Sequence, residues 1–271
     1  MRERMKVLIT VKAAPEPSKS YGDTVCVAGV RIDREPHEWV RLYPVAFRHL
    51  STEEQFSKYQ VVELDVNPAQ RDSRAESRRP VWGSLSIAES ALKMPARATV
   101  LEPMQTKTMC ELSVGVQDDM NAQSLGLVQV RELRRFEITN HPGWTAAQQA
   151  AVAASLEPTL FDDPDAKPVP ALEAPQLRVY YNYYCMSADC GGHRQSILDF
   201  EMSALQYRGR RLPVGELKAL ITKKFRDEKF GPDKRTSLFV GNIADPMKRR
   251  SFSALGVFTV PAGSDYASRL F

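Results

Sequence analysis

The segment Cys185-Met-Ser-Ala-Asp-Cys-Gly-Gly-His193 gathers two thiols and an imidazole within nine residues. Thiolates need positive charge beside them, and sulfur with imidazole nitrogen is the donor set that zinc takes up in a tetrahedron. Gly191 and Gly192 give the loop the freedom to fold around an ion. Cys185, Cys190 and His193 are therefore the candidate metal ligands. The C-x4-C-x2-H spacing is not that of a standard finger, and a fourth ligand must come from elsewhere: Cys26, Cys110, His37, His141 or a water. Zinc is the first expectation for the cofactor, and an iron–sulfur cluster is the alternative. Four protein ligands would close the site for a structural role, whereas three would leave a position for Lewis-acid chemistry. The competing readings are a plain hairpin, with Cys185 buried in a strand and Cys190 and His193 at the tip, and redox or nucleophilic chemistry.

Acidic and basic residues supply two further constellations. Asp199-Phe-Glu201 follows the cysteine segment directly, and in a strand its two acids would share a face, a spacing that Glu63 and Asp65 repeat. Such pairs hold divalent cations or serve as general acid and base. An enzyme acting on nucleotides or phosphoryl groups would use Glu76, Asp199 and Glu201, provided that they meet in one pocket; the plain alternative is a solvated strand face. Arg41-Leu-Tyr-Pro-Val-Ala-Phe-Arg48 sets two arginines around aromatics, the mixture that contacts phosphates and stacks on bases. Arg74 and the run Arg208-Gly-Arg-Arg211 extend this basic set, so Arg41, Arg48, Arg74, Arg208, Arg210 and Arg211 are the candidate nucleic-acid contacts. Cys26, between valines, reads as a buried structural thiol.

The elements that must position these groups read as α+β. Short runs rich in β-branched and aromatic residues, Val7–Val11, Thr24–Ala28, Trp39–Tyr43 and Val61–Asp65, predict strands, with a turn over Asp33–Glu38. The capping box Ser51-Thr-Glu-Glu54 predicts a helix ending near Tyr59. The basic stretch 67–80 reads as a surface loop, and 86–93 and 96–104 as short helices. A long strand with a slip in phase is expected over Leu127–Thr139, and a helix over Trp144–Leu156. Farther on come strands at Leu177–Cys185 and His193–Leu198, and helices at Ala204–Arg208 and Gly215–Lys229. Two closing strands are expected at Ser237–Val240 and Phe252–Val260. β-rich parts at both ends with helices between them suggest one or more partly closed barrels.

Residues 157–175 contain five prolines and several acids and read as a linker or surface excursion between parts 1–156 and 176–271, which could equally share one domain. The 271 residues are 43% hydrophobic, enough for a core without disulfides. No signal peptide and no apolar stretch of bilayer-spanning length is evident, so the cytoplasm is the expected location, without membrane contact. The net charge of +4 is mild, but 205–250 hold thirteen Lys/Arg against five Asp/Glu. No dinucleotide fingerprint, phosphate-loop or Ser/His/Asp order points to a standard enzyme class.

Several segments resemble an uncharacterised bacterial protein family: Cys26-Val-Ala-Gly29, Trp39-Val-Arg-Leu-Tyr-Pro44, Arg74-Ala-Glu-Ser77, Asp199-Phe-Glu201 and the strands at Leu238 and Leu255. Ala75 stands where the family pattern has proline, and Phe200 where it has tryptophan. The resemblance implies no reaction, and it shifts weight to the arginine and carboxylate motifs. The leading expectation is a protein that interacts with DNA or RNA and carries a structural metal at the Cys/Cys/His hairpin. The alternatives are a nucleotide-processing enzyme and an adaptor that binds protein through the acidic, proline-rich excursion.

Overall fold

The computed structural model describes residues 1–17, 24–50, 54–70, 72–156, 170–264 and 266. Eleven strands are found among them: β1 Glu3–Lys12, β2 Val25–Arg31, β3 Glu38–Val45, β4 Val61–Pro68, β5 Ser77–Pro80, β6 Ser86–Glu89, β7 Leu125–Asn140, β8 Leu177–Cys185, β9 His193–Ser196, β10 Lys234–Asn242 and β11 Phe252–Pro261. Five α-helices accompany them: α1 Ala96–Leu101, α2 Met109–Asp118, α3 Ala146–Ser155, α4 Phe200–Arg208 and α5 Val214–Thr222.

In the N-terminal half the strands run β1-β2-β3-β5-β4, and β4 pairs back onto β1, so the ring closes. All its pairings are antiparallel except β3 with β5, where Arg41 faces Ser77 and Leu42 faces Arg78. β6 adds to the free part of β4. The second half repeats the scheme. β7-β8-β9 are antiparallel neighbours, β10 pairs with β7 and β11, and a parallel bridge from Ile197 to Ala254 joins the end of β9 to β11. Both rings have the strand order of the five-stranded Greek-key barrel known as the OB-fold. The chain is thus α+β, built from tandem small barrels.

Three apolar clusters explain the strand patterns. Met5, Val7, Ile9, Val27, Leu42 and Leu64 fill the first barrel. Val128, Val179, Tyr181, Tyr183, Leu217 and Leu238 belong to the second. The third cluster joins Leu8, Val11 and Val30 to Leu127, Phe239 and Phe258, with Ala98 and Leu101 of α1 beside them. β1 therefore buries both faces from Val7 to Val11, which is why its run shows no polar–apolar alternation apart from the buried Thr10. β8 has one buried and one open face and alternates strictly along its length.

Several expectations change. Residues 86–89 form β6 rather than the start of a helix, because pairing along β4 overrides local propensity. Residues 54–60 form turns, not helix; the first three residues of the expected capping box lie outside the described residues. The stretch 67–80 is no free loop: β5 lies within it, and Arg74, Glu76 and Ser77 are buried. The expected slip in β7 is present as two register shifts, between Val130 and Glu132 and between Leu133 and Arg135. The excursion after α3 connects β7 to β8, the first two strands of one barrel; its residues 157–169 lie outside the described residues.

Candidate metal centre and nucleic-acid interface

Cys185 ends β8, Cys190 lies in the turn that follows, and His193 opens β9. The fourth member comes from α2, whose capping box, formed by Thr108 and Glu111, sets Cys110 in the first helical turn. One ligand atom from each of Cys110, Cys185, Cys190 and His193 lies within 4.8 Å of the other three. The Cys110 and Cys185 sulfurs are 3.6 Å apart, and Cys110 Sγ lies 3.4 Å from His193 Nε2. Zinc–sulfur arms of about 2.3 Å in a tetrahedron give sulfur separations of about 3.8 Å, so the four groups fit one ion.

The electrostatics agree. Burial, reinforced by the neighbouring Cys185 and Cys190 thiols, pushes the Cys110 thiol up to about 12. Three thiolates at this spacing need a cation to coexist. Burial lowers the His193 pKa and keeps its imidazole neutral, the form that ligates a metal. The Cys185 amide donates to Cys190 Sγ at 3.4 Å, orienting that sulfur.

The sheet face beside this centre is aromatic and basic. Along β8 the side chains of Arg178, Tyr180, Asn182 and Tyr184 alternate with the buried set. The Arg194 guanidinium of β9 lies 3.6 Å above the Tyr180 ring. Arg134 donates to the Tyr184 hydroxyl at 2.6 Å, and the Arg131 guanidinium lies 5.4 Å from that ring. Both arginines occur at the β7 register shifts, where a bulge re-aims side chains. A groove of about 700 Å³ continues from Tyr180, lined by Trp144, Arg178, Tyr207, Arg210 and Lys248. Arg48 of the first barrel also borders it, donating to the Pro170 carbonyl at 2.6 Å.

Arg41, Arg74 and Glu76 lie apart from this face and its groove. Arg41 and Arg74 are 3% and 6% exposed, too buried for a phosphate to reach. Arg41 donates to the Ser124 carbonyl and hydroxyl at 3.2 and 2.9 Å, and Glu76 accepts from the Ser124 amide at 2.6 Å. Arg74 pairs with Asp72 and donates to the Asn242 carbonyl at 2.7 Å. These three residues tie the first barrel to the second. Arg208 and Arg211 are exposed and Arg210 half-buried, stacked 4.0 Å over Tyr207.

Asp199 does not share a strand face with Glu201: it caps α4, accepting from the Glu201 amide at 2.8 Å. Burial raises its pKa to about 6, against the pull of Lys58. Burial opposes the Lys58 charge, but Tyr59, Asp199 and Glu201 outweigh it and the Lys58 pKa is raised. A Cβ at Gly256 would stand 2.9 Å from Lys58 Nζ and 3.5 Å from Asp199 Oδ2, so both groups converge over that glycine. Among the described residues, the Cys3His set is the group of His, Cys, Asp and Glu that converges tightly; Glu76, Asp199 and Glu201 form no such group.

Cys110 is one of the expected fourth ligands, and the structure selects it over Cys26, His37 and His141; the Thr-x-x-Glu box around it marks a helix start, but its distance from Cys185 in sequence left the choice open. No helix among the described residues is long and apolar enough to cross a membrane.

No curated protein matches the sequence. Among solved structures, a murine DNA-binding protein bound with double-stranded DNA aligns with TM-score 0.31 and 10% identity, covering 97% of this chain and 98% of that one. A replication protein A heterotrimer bound to single-stranded DNA aligns with TM-score 0.38 and 10% identity, over 99% of this chain and 51% of that one. The p204 HINb domain gives TM-score 0.30 at 7% identity, over 96% and 97%. Likeness at these scores bears on neither the fold nor the ligand of this chain. A domain of unknown function, DUF8758, matches residues 3–103, and a second, DUF8757, matches residues 104–271, so the chain belongs to the DUF8757 family.

Proposed function

We propose that this chain binds nucleic acid along the second barrel, over the outward face of β8 and β9 and the groove that continues from it, and that Cys110, Cys185, Cys190 and His193 hold a structural zinc ion. The observation that carries the binding reading is the pairing of Tyr180 with Arg194 and of Tyr184 with Arg131 and Arg134 on one open sheet face. In barrels of this type the face of the second and third strands, with the loops around it, is where oligonucleotides bind, and here those strands are β8 and β9. Tyrosines offer stacking area to bases, while guanidinium groups meet phosphates and stack in their own right. Arg48 and Arg210 serve at the groove; Arg41 and Arg74 act as structural ties.

Zinc is favoured because the four donors surround a volume for one ion, whereas an iron–sulfur cluster must fit several iron and sulfide atoms between its ligands. Zinc bound by four protein groups supplies cross-linking and charge neutralisation, with no position left for a substrate. Elemental analysis of purified protein is expected to give one zinc per chain, and visible absorption typical of iron–sulfur would overturn that assignment. For binding, fluorescence anisotropy of labelled oligonucleotides titrated with metal-loaded protein at several salt concentrations is the test. About four phosphate contacts imply a slope of log affinity on log salt of roughly −3 for a single strand. Salt-independent affinity, or none, removes the reading.

A further inference from the structure

The metal ligands and the aromatic face occupy neighbouring positions of the same hairpin. Tyr184 precedes Cys185, and Arg194 follows His193, so two of the four ligands have a residue of the open face beside them in the chain. The turn between the strands, which the ion would close, also backs that face. Gly192, at φ +100°, passes so near the Tyr184 ring that a Cβ there would lie 3.2 Å from it. Arg131, above the same ring, donates to the Ser187 carbonyl at 3.0 Å, anchoring itself on the turn. Within the turn the backbone hydrogen bond from Cys190 N–H to the Ser187 carbonyl is long, at 3.3 Å, and Cys185 N–H donates to Cys190 Sγ at 3.4 Å. Cys110 reaches the hairpin from α2, outside the sheet, so the ion would add coordinate bonds between the turn and that helix to the weaker contacts that Met109 and Cys110 already make with Gln195 and His193.

We propose that the metal and a single-stranded nucleic acid are linked ligands of this hairpin: the ion fixes the turn behind Tyr184 and Arg131, and a base stacked on Tyr184 in turn retains the ion. The inference rests on the binding reading above and specifies its ligand as unpaired, because a ring lying on a sheet face stacks on a base only when that base is out of its own helix. Reciprocity is required by thermodynamics: whatever factor the metal adds to strand affinity, the strand adds to metal affinity.

The experiment uses full-length protein loaded with cobalt in place of zinc, its visible absorption reporting occupancy. Cobalt occupancy is read at equilibrium against graded EDTA, alone, with saturating 12-mer oligothymidine, with 12-mer oligouridine, and with a 12-base-pair duplex. Saturation is checked by anisotropy. Expected is ~10-fold tighter cobalt retention with at least one of the single strands, within the usual range for linked sites, and no change with the duplex. The two single strands separate a DNA ligand from an RNA ligand. Tyr184→Ala should keep the cobalt spectrum and lose the protection. Equal release with and without bound single strand, equal protection by duplex, or full protection in Tyr184→Ala overturns the linkage while leaving nucleic-acid binding in place. If the loaded protein binds none of the probes, both readings fall.

Discussion

Asp199 shows how one residue can be legible in type and misread in role. Its carboxylate next to Glu201 suggests a catalytic pair, yet the backbone turns into α4 at that point and converts Asp199 into a helix cap. It is buried among Lys58, Lys229 and Glu201, near Lys12 and Tyr181 from neighbouring strands. Burial raises its pKa to about 6, above the ordinary value of 3.8. The folded state therefore holds the Asp199 proton more tightly than the unfolded state does. That contribution to stability is fully present below about pH 4 and is lost as pH rises through 6, amounting to about 3 kcal/mol at most. Asn keeps the cap without titrating. Chemical denaturation of Asp199→Asn between pH 4 and 7 is thus expected to show a flatter pH dependence than the parent and greater stability at pH 7. An unchanged profile would mean that Lys58 fully compensates the buried charge.

At the scale of elements, the hairpin of β8 and β9 was readable and its surroundings were not. The β-branched and aromatic run from Leu177 to Cys185 announces the strand, though tyrosines at adjacent positions leave its two faces unmarked, and three of the four metal donors lie within nine residues. The fourth sits on α2, a short helix with only three buried side chains, whose weak apolar pattern gives little to read. The slip in β7 is legible as a break in phase, but which strand it faces is not, so nothing in the sequence brings Arg131 and Arg134 to Tyr184. Two element-level outcomes separate support from contact. Thr108→Ala removes the α2 cap and should cost about 1 kcal/mol of stability, seen as a lower denaturant midpoint, without changing nucleic-acid affinity per metal-loaded molecule. Tyr180→Ala should leave the midpoint nearly unmoved, since the ring is on the open face, and weaken oligonucleotide binding by about 1–3 kcal/mol in an anisotropy titration.

Across the whole molecule, the closure of each barrel and the seam between them depend on partners far apart in sequence, which no local pattern encodes. Arg41 and Arg74 look like phosphate contacts because their neighbours are polar or aromatic; only the docking of Ser124 and Asn242 against them shows that they are consumed inside the protein. The seam leaves the second barrel's β8–β9 face open, with Arg48 of the first barrel at the edge of its groove. Arginines in the two places should therefore fail in opposite ways. Arg74→Ala strands Asp72, whose pKa of about 2 reflects the hydrogen bonds of Arg74 and Ser77 prevailing over burial, and leaves the Asn242 carbonyl without its donor. About 2–3 kcal/mol of stability is expected to go, with oligonucleotide affinity of the folded fraction changing less than about 2-fold. Arg194→Ala removes an exposed guanidinium whose ion pair with Glu137 is screened by solvent, so stability should hold. Its oligonucleotide affinity should fall, and the salt slope should become shallower by about 0.7, one phosphate contact on a single strand. Parallel denaturation and anisotropy measurements on both variants decide the matter: if Arg74→Ala loses binding while keeping its stability, the seam rather than the β8–β9 face meets the nucleic acid.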